Sequence, residues 1–311
     1  MQSISTTNPN ICWDTNSLYT WNEINEREYL TILSINLFEK LTPIIPNLKI
    51  QIFCSNKDTN VSKPDPKDTT ILIFHSNEYS FDVNNLEQDF FLILKTYCTN
   101  EQVNNNVLPM PLGYINGCEI TNEIPFNERR YNYTFIGNLN KNRIELLISL
   151  TWFKYLPRSI ACRLLNIKRI SEYLVDHCEK KHLKKNSFIK FFNKFKGEIP
   201  QNEYSKIISN SKIVICPKGF ASTETFRHYE SLMAGAIIIT EPLPNHFFYD
   251  SSSVISIDSW KNLEKLLEDI LKNPVKLNTL NTESIKLFQN HNSINSYVEF
   301  VFKRVQSNIA I

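Results

Sequence analysis

"ICPKGFASTETFRHYESLMAGAIIIT", residues 215–240, holds two of the six glycines in a chain of 311 residues. The apolar run "KIVIC" (212–216) leads into it and reads as a buried strand. "TETFRHYESLMA" (223–234) carries apolar residues at helical spacing, and "AIIIT" (236–240) is a second strand. Strand, helix and strand at this spacing make one βαβ element of a parallel sheet. Glycine costs backbone entropy on folding, so a pair flanking one helix marks two places with special demands. Gly219, before the helix, lets a group approach the main chain closely. Gly235, after it, ends the helix and turns the chain into the next strand.

In a doubly wound sheet a ligand sits beyond the carboxyl ends of the strands, where loop and helix amino terminus meet. Here Pro217, Lys218 and Gly219 form that turn, and Ser222 or Thr223 suits the helix cap through its hydroxyl. The first helical N–H groups lack internal partners and carry the positive end of the helix dipole, which favours a diphosphate. Arg227 and Glu230 are three apart on the helix and share a face. A guanidinium forks onto phosphate, and a carboxylate one turn on accepts hydrogen bonds from ribose hydroxyls. The plainer alternative is a surface ion pair worth about 0.2–0.5 kcal/mol. Lys218 adds charge to the phosphates or is simply solvated.

Working outward, strands and helices alternate on both sides. Residues 24–41 are an amphipathic helix, and "NLKIQIFCS", "TTILIFHS" and "DFFLILKTY" are continuous apolar runs of the kind buried in parallel sheets. After a polar linker at "CEITNEIPFNERR", the strand "YNYTFIG" opens a second half. A helix from about Asn140, a basic helical region over 158–185 and the strand "SFIKFF" follow, then "NEYSKIISNS" as helix. Beyond the opening stretch, "VISI" is a last strand before the helix "DSWKNLEKLLEDILKN". The expected domains are 1–125 and 130–290, with a helix over 291–311 crossing back to the first.

Composition narrows the function. With 42% apolar and 21% charged residues the chain is globular, and 34 Lys and Arg against 32 Asp and Glu give a net charge of +2. That charge offers no global attraction to nucleic acid. The seven cysteines are scattered without a C-x-x-C pair, so the expectation is reduced thiols rather than disulfides or zinc. No cationic region followed by an apolar run opens the chain and no stretch is long enough to span a bilayer, which leads to an expected cytoplasmic location. Walker and G-x-G-x-x-G phosphate loops are absent, which removes most kinase and dehydrogenase readings.

"EYSKIISNSKIVICPKGFASTETFRHYESLMAGAIIIT" resembles the nucleotide-binding region of exostosin-like glycosyltransferases. The shared residues are Tyr204-Ser205, Ser211-Lys212, Cys216-Pro217-Lys218-Gly219, Arg227, Glu230-Ser231 and Ala234-Gly235. Upstream, "YTFIGNLNKNRIELL" is similar to that family's entry into its carboxy-terminal domain, with Gly137-Asn138 ending a strand and Arg143 on the next helix. Downstream, "VISIDSWKNLEKLLEDIL" resembles the closing pattern of GT-B glycosyltransferases, and "VLPMPLGY" is the main echo in the first half. The segment "GAIIITEPLPN" departs from the family's Val- and Asp-rich one. The resemblance implies an α/β GT-B fold, two Rossmann-like domains facing a cleft, the first binding acceptor and the second a nucleotide sugar. It implies that Arg227 and Arg143 hold the diphosphate and Glu230 the ribose or a sugar hydroxyl. Asn138 is a ligand or a helix cap.

The implied reaction transfers a sugar from a nucleotide-diphosphate sugar, a UDP-sugar before a GDP-sugar, to a glycan or lipid-linked hydroxyl. No permanent cofactor is expected, and no Asp-x-Asp pair offers oxygen ligands to a divalent cation. Arginine and helix dipole would stabilise the leaving diphosphate. An inverting reaction needs a base from the first domain, and "FHSNEYSFD" offers His75, Glu78 and Asp82; His75 is equally a satisfied structural residue. His246 lies on a loop that would form a lip by the sugar pocket, and Cys216 is a packing residue. "EKKHLKKNSFIKFFNKFKG" (179–197) interleaves seven lysines with phenylalanines. It is either a peripheral membrane contact or a strand with a buried aromatic face and a solvated edge. Competing readings are a fucosyltransferase-like enzyme with a guanosine donor and a non-catalytic carbohydrate-binding module.

Overall fold

The computed structural model describes residues 2–3, 8–75, 78–192 and 199–309. The chain divides into two compact units. The first comprises Met1–Gly117, Pro244–Tyr249 and Gln289–Ile311, and the second Cys118–Leu243 and Asp250–Phe288.

The first unit is a six-stranded sheet of β1 (Gln2–Ser3), β2 (Ile11–Trp13), β3 (Leu48–Cys54), β4 (Thr69–His75), β5 (Leu92–Lys95) and β6 (Val107–Pro109). β1 is antiparallel to β2 and the other five are parallel. The strands are almost wholly buried, as continuous apolar runs require when both faces are covered. Helix α1 (Arg27–Leu41) brings Tyr29, Leu30, Leu33, Leu37 and Leu41 to the core at helical spacing. It lies against α9 (Ile294–Ile309), whose Tyr297, Val301 and Val305 are also buried. On the other face Phe53, Leu72 and Phe74 cluster with Val83, Leu86 and Phe90 of the connecting loop. The sheet order follows the chain, β1 to β6, without reversal.

The second unit has five parallel strands, β7 (Tyr131–Asn138), β8 (Phe188–Phe192), β9 (Ser211–Cys216), β10 (Ile237–Thr240) and β11 (Val254–Ser256), in the order β11-β10-β9-β7-β8. Its helices are α2 (Ile144–Leu150), α3 (Arg158–Leu165), α4 (Lys168–Leu183), α5 (Gln201–Ser209), α6 (Phe226–Met233), α7 (Leu263–Leu271) and α8 (Pro274–Leu287). The pleat sorts the core: Ile213, Ile215, Ile237 and Ile239 join one cluster, while Val214, Cys216 and Ile238 join the other. Burial pushes the Cys216 thiol up to about 12, so it is protonated packing and no nucleophile.

Gly235 ends α6 as read from sequence. It sits at φ +65°, donates its N–H to the Leu232 carbonyl, and is followed by Ala236 donating to Ser231, a Schellman close. The basic-aromatic run at 179–197 resolves into α4 and the edge strand β8. Phe191 and Phe192 turn inward, and Lys190 pairs with Glu179 at 3.0 Å. Residues 193–197 of that run lie outside the described residues. No helix among the described residues is long and apolar enough to cross a membrane.

Candidate functional site

The second sheet reverses direction once. The chain lays β8 on one side of β7, then returns to lay β9 on the other. Such a reversal opens a crevice at the carboxyl ends of the two strands. Here β7 and β9 pair from Tyr131↔Ser211 to Thr134↔Val214 and then part. The last residues of β7 pair with β8 alone, and Cys216 pairs with Thr240 of β10.

Arg227, on the first turn of α6, enters this gap. Its Nη2 donates to the Ile136 carbonyl at 2.5 Å, a main-chain oxygen left over where the strands separate. Its Nε and Nη1 are buried with no partner among the described residues. A buried guanidinium with unused donors is costly, because solvation is lost without replacement. The Arg227–Glu230 ion pair that sequence leaves open is not formed. Glu230, 2% exposed, accepts a hydrogen bond from Tyr204 Oη at 2.7 Å instead.

A second guanidinium stands beside the first. Arg143 follows β7 and donates from Nε to the Lys218 carbonyl (3.1 Å), and from Nη1 to the Asn138 carbonyl (2.9 Å) and side-chain oxygen. A Cβ placed on Gly137 would lie 2.8 Å from Arg227 Nη2 and 2.9 Å from Arg143 Nη1. Only a residue without one leaves both cations room. Both also stand over the Phe135 ring, at 5.2 and 5.8 Å from its centroid, where its π face attracts cations. Asn138 thus orients Arg143 and caps no helix.

The turn read from sequence is braced on every side. The Lys218 N–H donates to Glu241 Oε2 (2.8 Å), whose other oxygen accepts from Trp260 Nε1 (2.8 Å). Asn142 Nδ2 donates to the Gly219 and Phe220 carbonyls at 2.7 and 3.0 Å. The Gly219 N–H donates to the Ser222 carbonyl at 2.9 Å, so this main-chain donor is already engaged within the turn. Neither Ser222 nor Thr223 caps α6. Ser222 Oγ accepts from the Glu224 N–H at 3.1 Å, a local turn, and the cap falls at Thr225, whose N–H donates to His228 Nδ1 at 3.1 Å. Histidine here fills the place that Glu or Gln holds in a capping box, which is why the sequence pattern concealed it. Glu224, buried ahead of the cap, was also missed, as were Phe135 and Asn142.

His228 is fully buried and bridges Thr225 to Thr240 Oγ1 (2.8 Å). His182 likewise ties Tyr133 Oη (2.6 Å) to the Leu150 carbonyl (3.0 Å). Burial, above all, pulls these rings down to about 3 and about 4 respectively. Below the ordinary value of about 6.5, the unfolded chain binds protons that the native rings refuse, so stability falls with pH until the native pKa values are reached. The expected slope between about pH 6 and pH 4 reaches roughly 1.4 kcal/mol per pH unit for each ring. Urea midpoints measured across this range should fall steeply, and His228→Gln should remove one ring's share. An unchanged slope in the variant would contradict a neutral His228.

The first-unit candidates are a separate group. His75 ends β4, fully buried, with Nε2 3.4 Å from Glu26 Oε2. Glu78 is half-buried, and the exposed Asp82 accepts from the Asn84 main-chain and side-chain N–H groups, both at 3.0 Å. His246 does not form an open lip. It is buried in the first unit with Nε2 2.7 Å from the Cys98 carbonyl, and burial lowers its pKa.

No protein-family model and no curated protein matches the sequence. Solved structures do. The trehalose 6-phosphate synthase of Burkholderia multivorans aligns over 93% of this chain and 77% of its own, at 8% identity and a TM-score of 0.50. The fold is GT-B. The accessory secretory protein 1, 2 and 3 structure from Streptococcus pneumoniae aligns over 88% of this chain at 9% identity and TM-score 0.50, and the chain spans 56% of that protein. Anabaena HepE, solved with UDP and glucose, aligns over 78% of this chain and 72% of its own, at 10% identity and TM-score 0.45. In GT-B terms the arginine pair lies in the unit that carries the switch point.

Proposed function

We propose that this GT-B chain is a glycosyltransferase that takes a nucleotide-diphosphate sugar and transfers the sugar to a hydroxyl of a glycan or lipid-linked acceptor. Arg227 carries the reading: a buried cation with two unused donors, at a switch point, is built for an anion with oxygens on more than one side. Arg143 and the amino end of α6 add positive potential at the same place. Together they would neutralise a departing diphosphate, the work a divalent cation does elsewhere, so the reading assigns no metal. Glu230, one turn further along α6, is assigned to a ribose or sugar hydroxyl, with Tyr204 orienting it. The second unit is the donor domain and the first the acceptor domain, where His75 is the leading base, ahead of Glu78 and Asp82. The exostosin-like subtype and a cytoplasmic location belong to the same proposal.

The test is calorimetric titration of the full chain with UDP, GDP, ADP and CMP, with and without Mg²⁺. UDP, the nucleotide in the HepE complex, is expected to bind without metal, with an affinity in the micromolar range, on the order of −8 kcal/mol. GDP binding alone would move the chain to the fucosyltransferase-like alternative. Glycan binding with no nucleotide binding would leave a carbohydrate-binding module on an enzyme's fold.

A further inference from the structure

Large apolar side chains are exposed together around α3 and α4 of the second unit. Trp152 is 47% exposed, Ile160 46%, Ile167 50% and Tyr173 63%. Trp152, Leu164, Ile170, Tyr173 and Leu174 wall an open recess of about 320 Å³, and Arg169 is its charged member. Ile167 sits in the turn between the two helices. Ile160, Arg163 and Leu164 stand at i, i+3 and i+4 on α3 and therefore share a side.

The same segment is the basic part of the molecule. Residues 152–185 hold nine Lys and Arg against three Asp and Glu, a net +6 within a chain of net +2. Lys168 and Lys180 pair along α4 with Glu172 and Asp176. Arg158, Arg163 and Arg169 are exposed and form no ion pair among the described residues. An apolar recess rimmed by tryptophan, tyrosine and isoleucine, with the unpaired Arg169 in its wall and two more unpaired arginines on the adjoining α3, suits one chemistry: hydrocarbon beneath a layer of negative headgroups. Isoleucines offer a nucleic-acid base no stacking platform, whereas Trp and Tyr are the side chains favoured at a lipid–water boundary.

We propose that this face, α3 with the start of α4 and Trp152, docks the protein on an anionic lipid surface. Trp152, Ile160, Ile167 and Tyr173 enter the boundary and the recess receives a lipid chain. Arg158, Arg163 and Arg169 meet headgroup phosphates. Neither signal alone holds a protein on a bilayer, and the two together do. The lysine run that first suggested a membrane contact contributes charge at its start, while its described phenylalanines serve β8. This surface holds whatever the donor proves to be, since nucleotide binding and lipid binding are read separately.

The experiment is cosedimentation of the full chain with phosphatidylcholine vesicles, with and without a minority of phosphatidylglycerol. Binding is expected only to the anionic vesicles and should fall in high salt. Replacing Arg158, Arg163 and Arg169 with serine should weaken it roughly a hundredfold, at the usual contribution of each basic residue near an anionic surface. Trp152→Ser with Tyr173→Ser should weaken it by about tenfold. A control pair on α7 and α8, Lys265→Ser with Lys276→Ser, should bind as wild type. Circular dichroism and unchanged nucleotide binding would show that the variants are folded. Equal binding to uncharged vesicles, or full binding by either variant, overturns the proposal. So does self-association or RNA binding that needs Trp152 in a chain that ignores vesicles.

Discussion

Replacing Arg227 with alanine will abolish diphosphate binding without unfolding the protein. In the free protein this side chain contributes one hydrogen bond, to the Ile136 carbonyl, and leaves two buried donors unused. Its removal discards two buried donors without partners among the described residues along with that bond and the contact with Phe135, so the thermal midpoint should stay within a few degrees of wild type, equivalent to about 1 kcal/mol. Bound diphosphate would engage those donors as charge-assisted hydrogen bonds of about 1.5–3 kcal/mol each. Losing both should weaken binding by roughly two to four orders of magnitude, and nucleotide should no longer raise the melting temperature. Arg227→Lys keeps the charge but not the planar fork and should recover a small part. Calorimetry and differential scanning of the three proteins decide the matter. A variant that unfolds while wild type ignores nucleotides would make Arg227 a structural brace, and the donor reading would fall.

The largest loss of stability is expected at Gly113, in the first unit. This glycine follows β6 at φ +78°, and a Cβ there would lie 2.2–2.5 Å from three atoms of the fully buried Tyr29 ring. Two costs combine in Gly113→Ala. A left-handed backbone becomes unfavourable by about 1 kcal/mol, and an overpacked core adds roughly 1–3 kcal/mol. The ring cannot yield easily, since α1 buries it beneath α9. The urea midpoint should drop by an amount equivalent to about 3 kcal/mol. Relieving the ring in Gly113→Ala with Tyr29→Leu should restore part of it. A single variant as stable as wild type would show that this end of α1 shifts freely.

The parallel architecture was legible because its strands are continuous apolar runs of the right length. "KIVIC" and "AIIIT" became β9 and β10 to within a residue, and the helix read over 24–41 became Arg27–Leu41. Short or cryptic elements were not. Ile11–Trp13 is too brief for periodicity, and the basic region over 158–185 is two helices, α3 and α4, with Ile167 between them. Local chemistry misplaced the start of α6, since Ser222 and Thr223 look as fit to cap as Thr225. At the site, sequence named both arginines and Gly137. It could not show that the glycine stands between the two guanidiniums, that Phe135 lies beneath them, or that Tyr204 reaches Glu230. Those relations join β7, α5 and α6, which are far apart in the chain, and only the strand reversal brings them together.

The first unit closes its core with a helix encoded last. Tyr297 of α9 donates to the Pro109 carbonyl at 3.1 Å, and its neighbours cover the apolar side of α1. Pro244–Tyr249 also belongs to this unit. The first unit is therefore not a cassette. A gene fragment stopping at the first boundary would leave α1 bare, and recombination exchanging this unit between related genes would have to carry three separate segments across four junctions. Second-unit sequence between those junctions is free to diverge or be swapped; the first unit is inherited with both flanks attached.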